Sequence, residues 1–290
     1  MLAWNVIVVL WGAYVRASGS GAGCGSNWPT CNGVVIPRAP QTATLIEFTH
    51  RMTSTVALLA VGVLCFWAFR RFQKGHPVRR TAVLSVLFLL MEALLGAGLV
   101  LFEYVGKNAS VGRAIYLSAH LVNTQVLLAA LTLTAWFAGR EMNQRRSGPI
   151  VAALPLALLV SVTGAIAALG DTLFPAASLT AGLQQELSTT AHFLLRLRIF
   201  HPVLAVCAAI FFGLIAISVI RNSTSAEDRR VAWAVTLLVV VQLYAGAMNV
   251  LLLAPVWLQI IHLLLANCLW IALVILSYSD SRSGPAIANR

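Results

Sequence analysis

Residues 81–103 read TAVLSVLFLLMEALLGAGLVLFE, and the fold class follows from them. One carboxylate, Glu92, interrupts an apolar run as long as the ~20 residues a helix needs to cross a bilayer. The run has no polar face at helical spacing, so it is not the amphipathic helix of a soluble domain. The rest of the chain repeats this character. Of 290 residues, 59% are hydrophobic and only 10% charged, against about 25% charged in soluble domains. The reading is an all-α polytopic membrane protein with eight transmembrane helices, near residues 2–17, 45–69, 81–103, 114–138, 149–169, 199–220, 231–253 and 257–278. The first run lacks a charged leading region and a small-residue cleavage site, and reads as a retained span.

The net charge of +11 resides mainly in alternate connectors. Residues 70–80, 139–148, 221–230 and 279–290 hold 13 of the 20 Lys and Arg. The other side holds Arg16, Arg38, Arg51, Lys107, Arg113, Arg196 and Arg198. Basic connectors stay in the cytoplasm, which predicts cytoplasmic termini in a plasma-membrane protein. Loops 18–44, 104–113, 170–198 and 254–256 then face outward. The same rule makes the charge a topology signal rather than a nucleic-acid footprint.

The halves resemble each other. EALLGAGLVLFEY (92–104) answers to VQLYAGAMNVLLLAP (241–255), LSAHLVNTQVLLAAL (117–131) to QIIHLLLANCLWIAL (259–273), and IEFTHRMTSTVALLAV (46–61) to RIFHPVLAVCAAIFF (198–212). An even number of spans per half keeps both copies in one orientation, as parallel repeats. The expected architecture is two tandem, pseudo-symmetric four-helix bundles, residues 1–140 and 141–290.

Each half brings two histidines to similar depth near the outer surface: His50 and His120, then His201 and His262. A single intramembrane histidine is often a hydrogen-bonded packing residue. Four in a duplicated pattern point to function, since polar groups cost free energy in lipid. Imidazole is a good iron ligand, and bundle cofactor sites are built from side chains on facing helices. Two imidazoles per half predict two haem sites. Zinc fits less well, because no thiolate or second carboxylate accompanies each pair. His76 reads as a solvated loop residue. His192, in an outer loop, is a weaker ligand candidate.

Glu47 shares a helix face with His50 at i, i+3 and is a candidate for proton transfer. Thr44 to Glu47 also fits an S/T-x-x-E capping box, which would make Glu47 a helix-start residue only. The second half places Arg198 there, so the halves are chemically unequal: one suits a reacting haem, the other an electron-supplying haem. Arg16, Arg51, Arg196 and Arg198 lie near the outer boundary as candidate partners for haem propionates, or as snorkelling interfacial arginines. Glu92 in span 3 and Gln242 in span 7 occupy comparable points, and an interhelix hydrogen bond is favoured for Glu92. Cys65, Cys207 and Cys268 read as small buried hydrophobes.

The loop VRASGSGAGCGSNWPTCNGVVIP (15–37), the EFTHR that opens span 2, and the histidines of spans 4, 6 and 8 together resemble the haem A synthase family. The likeness covers essentially the whole chain. It implies oxidation of a methyl substituent of haem O, the substrate, to a formyl group by successive hydroxylations, for terminal oxidase biogenesis. By the same likeness, His50 and His120 would hold the substrate haem, His201 and His262 would ligate a resident haem b, and Glu47 would be the acidic catalytic residue. Haem O synthase would supply the substrate, an unidentified donor the electrons and membrane lipids the solvent; a homo-oligomer is compatible. Some members carry a second cysteine pair between spans 5 and 6. This chain has none there, so that loop is expected to be ordered by packing alone or to be mobile. A dihaem b-type cytochrome passing electrons from quinol is the alternative, and a transporter with parallel repeats a third. On the outer, oxidising side Cys24 and Cys31 are expected to form a disulfide, with a structural role favoured over a redox one.

Overall fold

A computed structural model describes residues 1–140 and 148–278. Among the described residues the regular structure is helical, with no β-strand. The helices are α1 (Leu2–Ala17), α2 (Thr42–Arg71), α3 (Pro77–Leu101), α4 (Val111–Ala138), α5 (Gly148–Leu173), α6 (Leu179–Leu187), α7 (Phe193–Arg198), α8 (Phe200–Asn222), α9 (Ala226–Leu251) and α10 (Val256–Leu276). Among the described residues seven apolar helices are long enough to cross a membrane: α2, α3, α4, α5, α7 continued into α8, α9 and α10. The expected first span is a helix of 16 residues, shorter than those seven. Basic residues 141–147 and 279–290, counted above for orientation, lie outside the described residues.

Helix starts follow local chemistry. Pro77 opens α3, where its missing N–H costs nothing, behind His76, whose Nδ1 accepts from the Val78 amide at 3.3 Å. His76 is therefore a cap rather than only a solvated residue. Ser110 and Ser225 cap α4 and α9 by accepting from the Arg113 and Asp228 amides.

Packing follows chain order. α1 contacts α2, α2 contacts α3, α3 contacts α4, and α4 contacts α1. α5 contacts α8, α8 contacts α9, α9 contacts α10, and α10 contacts α5. α4, α1 and α5 all meet α10 along the seam, α4 also meets α1 and α5, and α4 is the most enclosed of the spans. Val8, Ala57, Val61, Leu89, Leu127 and Leu131 form one core; Leu128 joins Ile150, Phe212, Val235, Trp270 and Leu273 in another. Leu59, Phe66, Trp67, Trp233 and Leu237 point outward, as apolar side chains do when their solvent is lipid.

Polar pins cross the seam. Gln125 Nε2 donates to Asn267 Oδ1 at 3.2 Å, and Trp270 Nε1 donates to the Gln125 carbonyl at 2.7 Å. Arg16 on α1 donates to the Ala168 carbonyl and Thr172 Oγ1 on α5, both at 2.8 Å, and to Gln259 Oε1 on α10 at 3.0 Å.

Helices α3 and α9 end alike. Glu103 (φ 56°) and Leu253 (φ 58°) adopt the left-handed conformation, which costs a non-glycine residue roughly 1–2 kcal/mol. The next amides, Tyr104 and Ala254, reach back to the Leu99 and Asn249 carbonyls at 2.8 and 2.6 Å. Loop 170–198, expected to be held by packing alone or to be mobile, is built from α6 and α7. Arg198 closes it by donating to Asp171 Oδ1 at 2.6 Å and to Glu186 Oε1 at 2.5 Å.

Candidate functional site: four histidines, their glycine cradles and the outer loop

The four histidines sit near the predicted outer ends of α2, α4, α8 and α10, and each ring keeps part of its surface accessible. His50 and His120 lie within electrostatic reach of each other, and so do His201 and His262. Each pair draws its two imidazoles from different helices, α2 with α4 and α8 with α10.

Each imidazole also faces a glycine on a neighbouring helix, a feature that the reading of the sequence missed. A Cβ built on Gly12 of α1 would stand 2.9 Å from His50 Cε1, and one on Gly164 of α5 would stand 2.9 Å from His201 Cε1. Gly96 of α3 faces His120 Nε2 at 3.8 Å, and Gly246 of α9 faces His262 Cε1 at 3.3 Å. The signal was present: helices α1, α3, α5 and α9 each carry the dipeptide Gly-Ala, at 12–13, 96–97, 164–165 and 246–247. Small residues let neighbouring helices approach closely in a membrane, and here the space they leave is taken by imidazole.

The remaining ring contacts differ between sites. His201 Nδ1 lies 3.1 Å from Thr163 Oγ1. His262 Nε2 lies 3.3 Å from Gln242 Nε2, and its Nδ1 is buried without a hydrogen-bond partner, as is His50 Nδ1. His120 Nδ1 lies 3.0 Å from Glu92 Oε1, off the direct N–H···O line. Buried polar atoms left unsatisfied, cradles lacking a Cβ and paired imidazoles fit a flat group gripped by nitrogen ligands. Among the described residues no three His, Cys, Asp or Glu side chains cluster as a metal cage.

Glu47 is buried and fully engaged. Its Oε2 accepts the Cys24 amide at 2.9 Å, and its Oε1 accepts Arg51 Nε at 3.1 Å and Nη2 at 2.5 Å. The capping box does not form. α2 starts at Thr42 behind Gln41, so Glu47 lies inside the helix, and Thr44 Oγ1 donates to the Gly23 carbonyl at 2.7 Å. Arg51 Nη1 donates to the Asn27 and Thr30 carbonyls. Thr44, Glu47 and Arg51 thus hold the loop on the first turns of α2. Gly23 packs so closely that a Cβ there would stand 2.4 Å from the Ala43 carbonyl oxygen. Cys24 and Cys31 form a disulfide, and both are fully buried, so an external thiol reaches them only when the loop opens.

The other expected residues have clear places. Arg51 and Arg198 are tied to protein carboxylates. Arg196 donates to the Thr189 carbonyl. Arg16 is held by neutral acceptors only, with no described carboxylate at ion-pair distance. His192 is not positioned as a ligand: it caps α7 and stacks between Phe174 and Phe193 at ring distances of 5.0 and 4.6 Å.

The family model for COX15-CtaA, described as cytochrome oxidase assembly protein, matches residues 1–274. The chain belongs to the COX15-CtaA family. Relatives include the heme A synthase of Bacillus mycoides, 28% identical over 293 residues, which cover 96% of this chain and 90% of that protein. The heme A synthase of Halalkalibacterium halodurans is 40% identical over 126 residues, 43% of this chain and 42% of its own length. A Thermus thermophilus protein named protoheme IX farnesyltransferase is 49% identical over 290 residues, covering 98% of this chain and 48% of that protein. The chain thus spans about half the length of this Thermus relative. The resemblance to haem A synthases drawn from the loop and the histidines is borne out by these matches.

Proposed function

We propose that the chain is a haem A synthase that oxidises a methyl substituent of haem O to a formyl group by two successive hydroxylations, each drawing its oxygen atom and oxidising equivalents from an external oxidant such as dioxygen, the resulting gem-diol losing water. The observation that carries the reading is the pair of imidazoles from different helices in each half, every one set against a glycine. We read the chain as eight membrane-crossing helices in two pseudo-symmetric bundles, α1–α4 and α5 with α8–α10. The repeated cradles, the closed order of helix contacts and the matching ends of α3 and α9 support this. His50 and His120 hold the substrate haem O; His201 and His262 hold a resident haem b, which supplies one-electron chemistry. Arg16, half-buried between the halves and with no carboxylate at ion-pair distance among the described residues, is the arginine best placed for a propionate. Glu47 fixes the outer loop above the first-half histidines, so any proton it moves must first leave its contacts with Arg51 and the Cys24 amide.

The proposed orientation keeps both termini in the cytoplasm of a plasma membrane. The substrate is supplied by a haem farnesyltransferase. The Thermus relative bears that activity in its name, and about half of that protein lies outside the match. Coexpression with such an enzyme, followed by mass analysis of extracted haem, is the test. Haem A is expected. Haem O alone, from a folded and haem-loaded chain, would leave the dihaem electron-transfer reading in its place.

Replacing the disulfide separates structure from redox chemistry. Cys24→Ala is expected to lose roughly 2–3 kcal/mol from freeing a short closed loop, read as a lower unfolding temperature, and to retain methyl oxidation, because Thr44, Glu47 and Arg51 still grip the loop. Full stability with abolished oxidation would assign the pair a redox role instead.

A further inference from the structure

The two halves differ in how their even-helix histidines are backed. Glu92 lies one helical turn before Gly96 on α3, and Gln242 lies one turn before Gly246 on α9. Glu92 presents Oε1 to His120 Nδ1 at 3.0 Å. It also accepts from Asn123 Nδ2 at 2.5 Å and from the Thr124 hydroxyl. Two hydrogen-bond donors on α4 and the nearby imidazole Nδ1 thus converge on two oxygens of α3, the pattern of an acceptor-only carboxylate. An acid in hydrocarbon costs free energy, and this arrangement offsets that cost through its neighbours. With Nδ1 turned to the carboxylate, His120 Nε2 is free and faces Gly96. The second half offers only a neutral amide, and it reaches the other ring nitrogen, His262 Nε2.

We propose that Glu92 is the positioning residue of the first-half iron ligand. It fixes the His120 ring and tautomer through Nδ1 and makes that imidazole a stronger electron donor than His262, so that the two irons differ in reduction potential. A carboxylate behind a ligating histidine orients the ring and raises its basicity, and hydrogen bonding of this kind is one of the levers a protein has on haem potential. The first-half iron is held to the oxidised form more firmly; the second-half iron, backed by an amide, is not. This rests on reading His120 and His262 as haem ligands.

The purified full chain, titrated with haemin until both sites fill, is the material for an optical redox titration. A His262→Ala chain identifies the first-half wave. Glu92→Gln keeps the shape and removes the charge. Its first-half wave is expected to move to more positive potential, by about tenfold in the ferric-to-ferrous ratio, or ~59 mV for a one-electron couple, with the second wave unmoved. Thr124→Val removes one donor from the carboxylate, leaves more of its charge for His120, and is expected to move the same wave the opposite way. Opposite signs are not what general loosening produces. Unchanged potentials in Glu92→Gln, or equal signs in the two variants, overturn the proposal. If Glu92→Gln takes up no haemin, Thr124→Val decides alone: a negative shift supports the proposal and no shift overturns it. Haem A formed with unshifted potentials rejects this inference and keeps the oxidase reading; shifted potentials without haem A do the reverse.

Discussion

Gly164→Val is expected to empty the second-half site and leave the first filled, halving the haem bound per chain. A Cβ at position 164 would stand 2.9 Å from His201 Cε1 and 3.3 Å from Nε2, and the valine methyl groups reach further. The ring cannot simply turn aside, because Nδ1 is engaged by Thr163 on the same helix as the glycine. Packed interiors answer such crowding with strained rotamers or shifted backbone, and a ligand displaced by even an ångström no longer meets its iron. Gly12→Val makes the reciprocal prediction for His50. Gly213→Val and Gly62→Val are the controls, since nothing lies within 4 Å of a Cβ at either position. Pyridine haemochrome assay of haem against protein reads all four. Full loading of Gly164→Val would show that the cradle does not govern His201.

Glu47→Ala is expected to release the outer loop. It deletes the acceptor of the Cys24 amide and strands Arg51, whose side chain is only 12% exposed, without its carboxylate. Breaking a buried pair from one side costs about 3–5 kcal/mol, more than loss of the disulfide. The direct measurement is the rate at which a thiol reductant opens Cys24–Cys31, followed by alkylation and mass spectrometry. The variant is expected to react faster, and Glu47→Gln, which keeps an acceptor for the amide, to fall between it and the parent. Equal rates in all three would detach Glu47 from the loop and return it to a role in proton transfer alone.

The long helices were legible because crossing hydrocarbon demands one property, sustained apolarity, that each segment carries alone. The four histidines were legible because they recur in aligned repeats. What escaped the sequence was set by tertiary contact. The outer helices α6 and α7 are short and mixed in polarity, and their order comes from Arg198 reaching Asp171 and Glu186. The capping box around Glu47 failed for a local reason: the helix begins at Thr42, which carries Glu47 past the first turn and toward the loop. The glycine cradles were overlooked although Gly-Ala recurs in every helix that backs a histidine. A glycine's meaning lies in what approaches it, and the approaching residue is on another helix. The arginines were ambiguous for the same reason, since only the fold shows that Arg51 and Arg198 have found carboxylates while Arg16 meets neutral acceptors among the described residues.

Arg16 also sets an order of events during synthesis. It lies on the first helix, yet its partners Ala168, Thr172 and Gln259 belong to α5 and α10. During insertion Arg16 gains its first two acceptors only when α5 arrives and its third only with α10, and contacts so far apart in sequence are slow to form. Completion of the N-terminal half is thereby made conditional on the C-terminal half. A nascent chain stalled before α5 leaves Arg16 without any of these three acceptors.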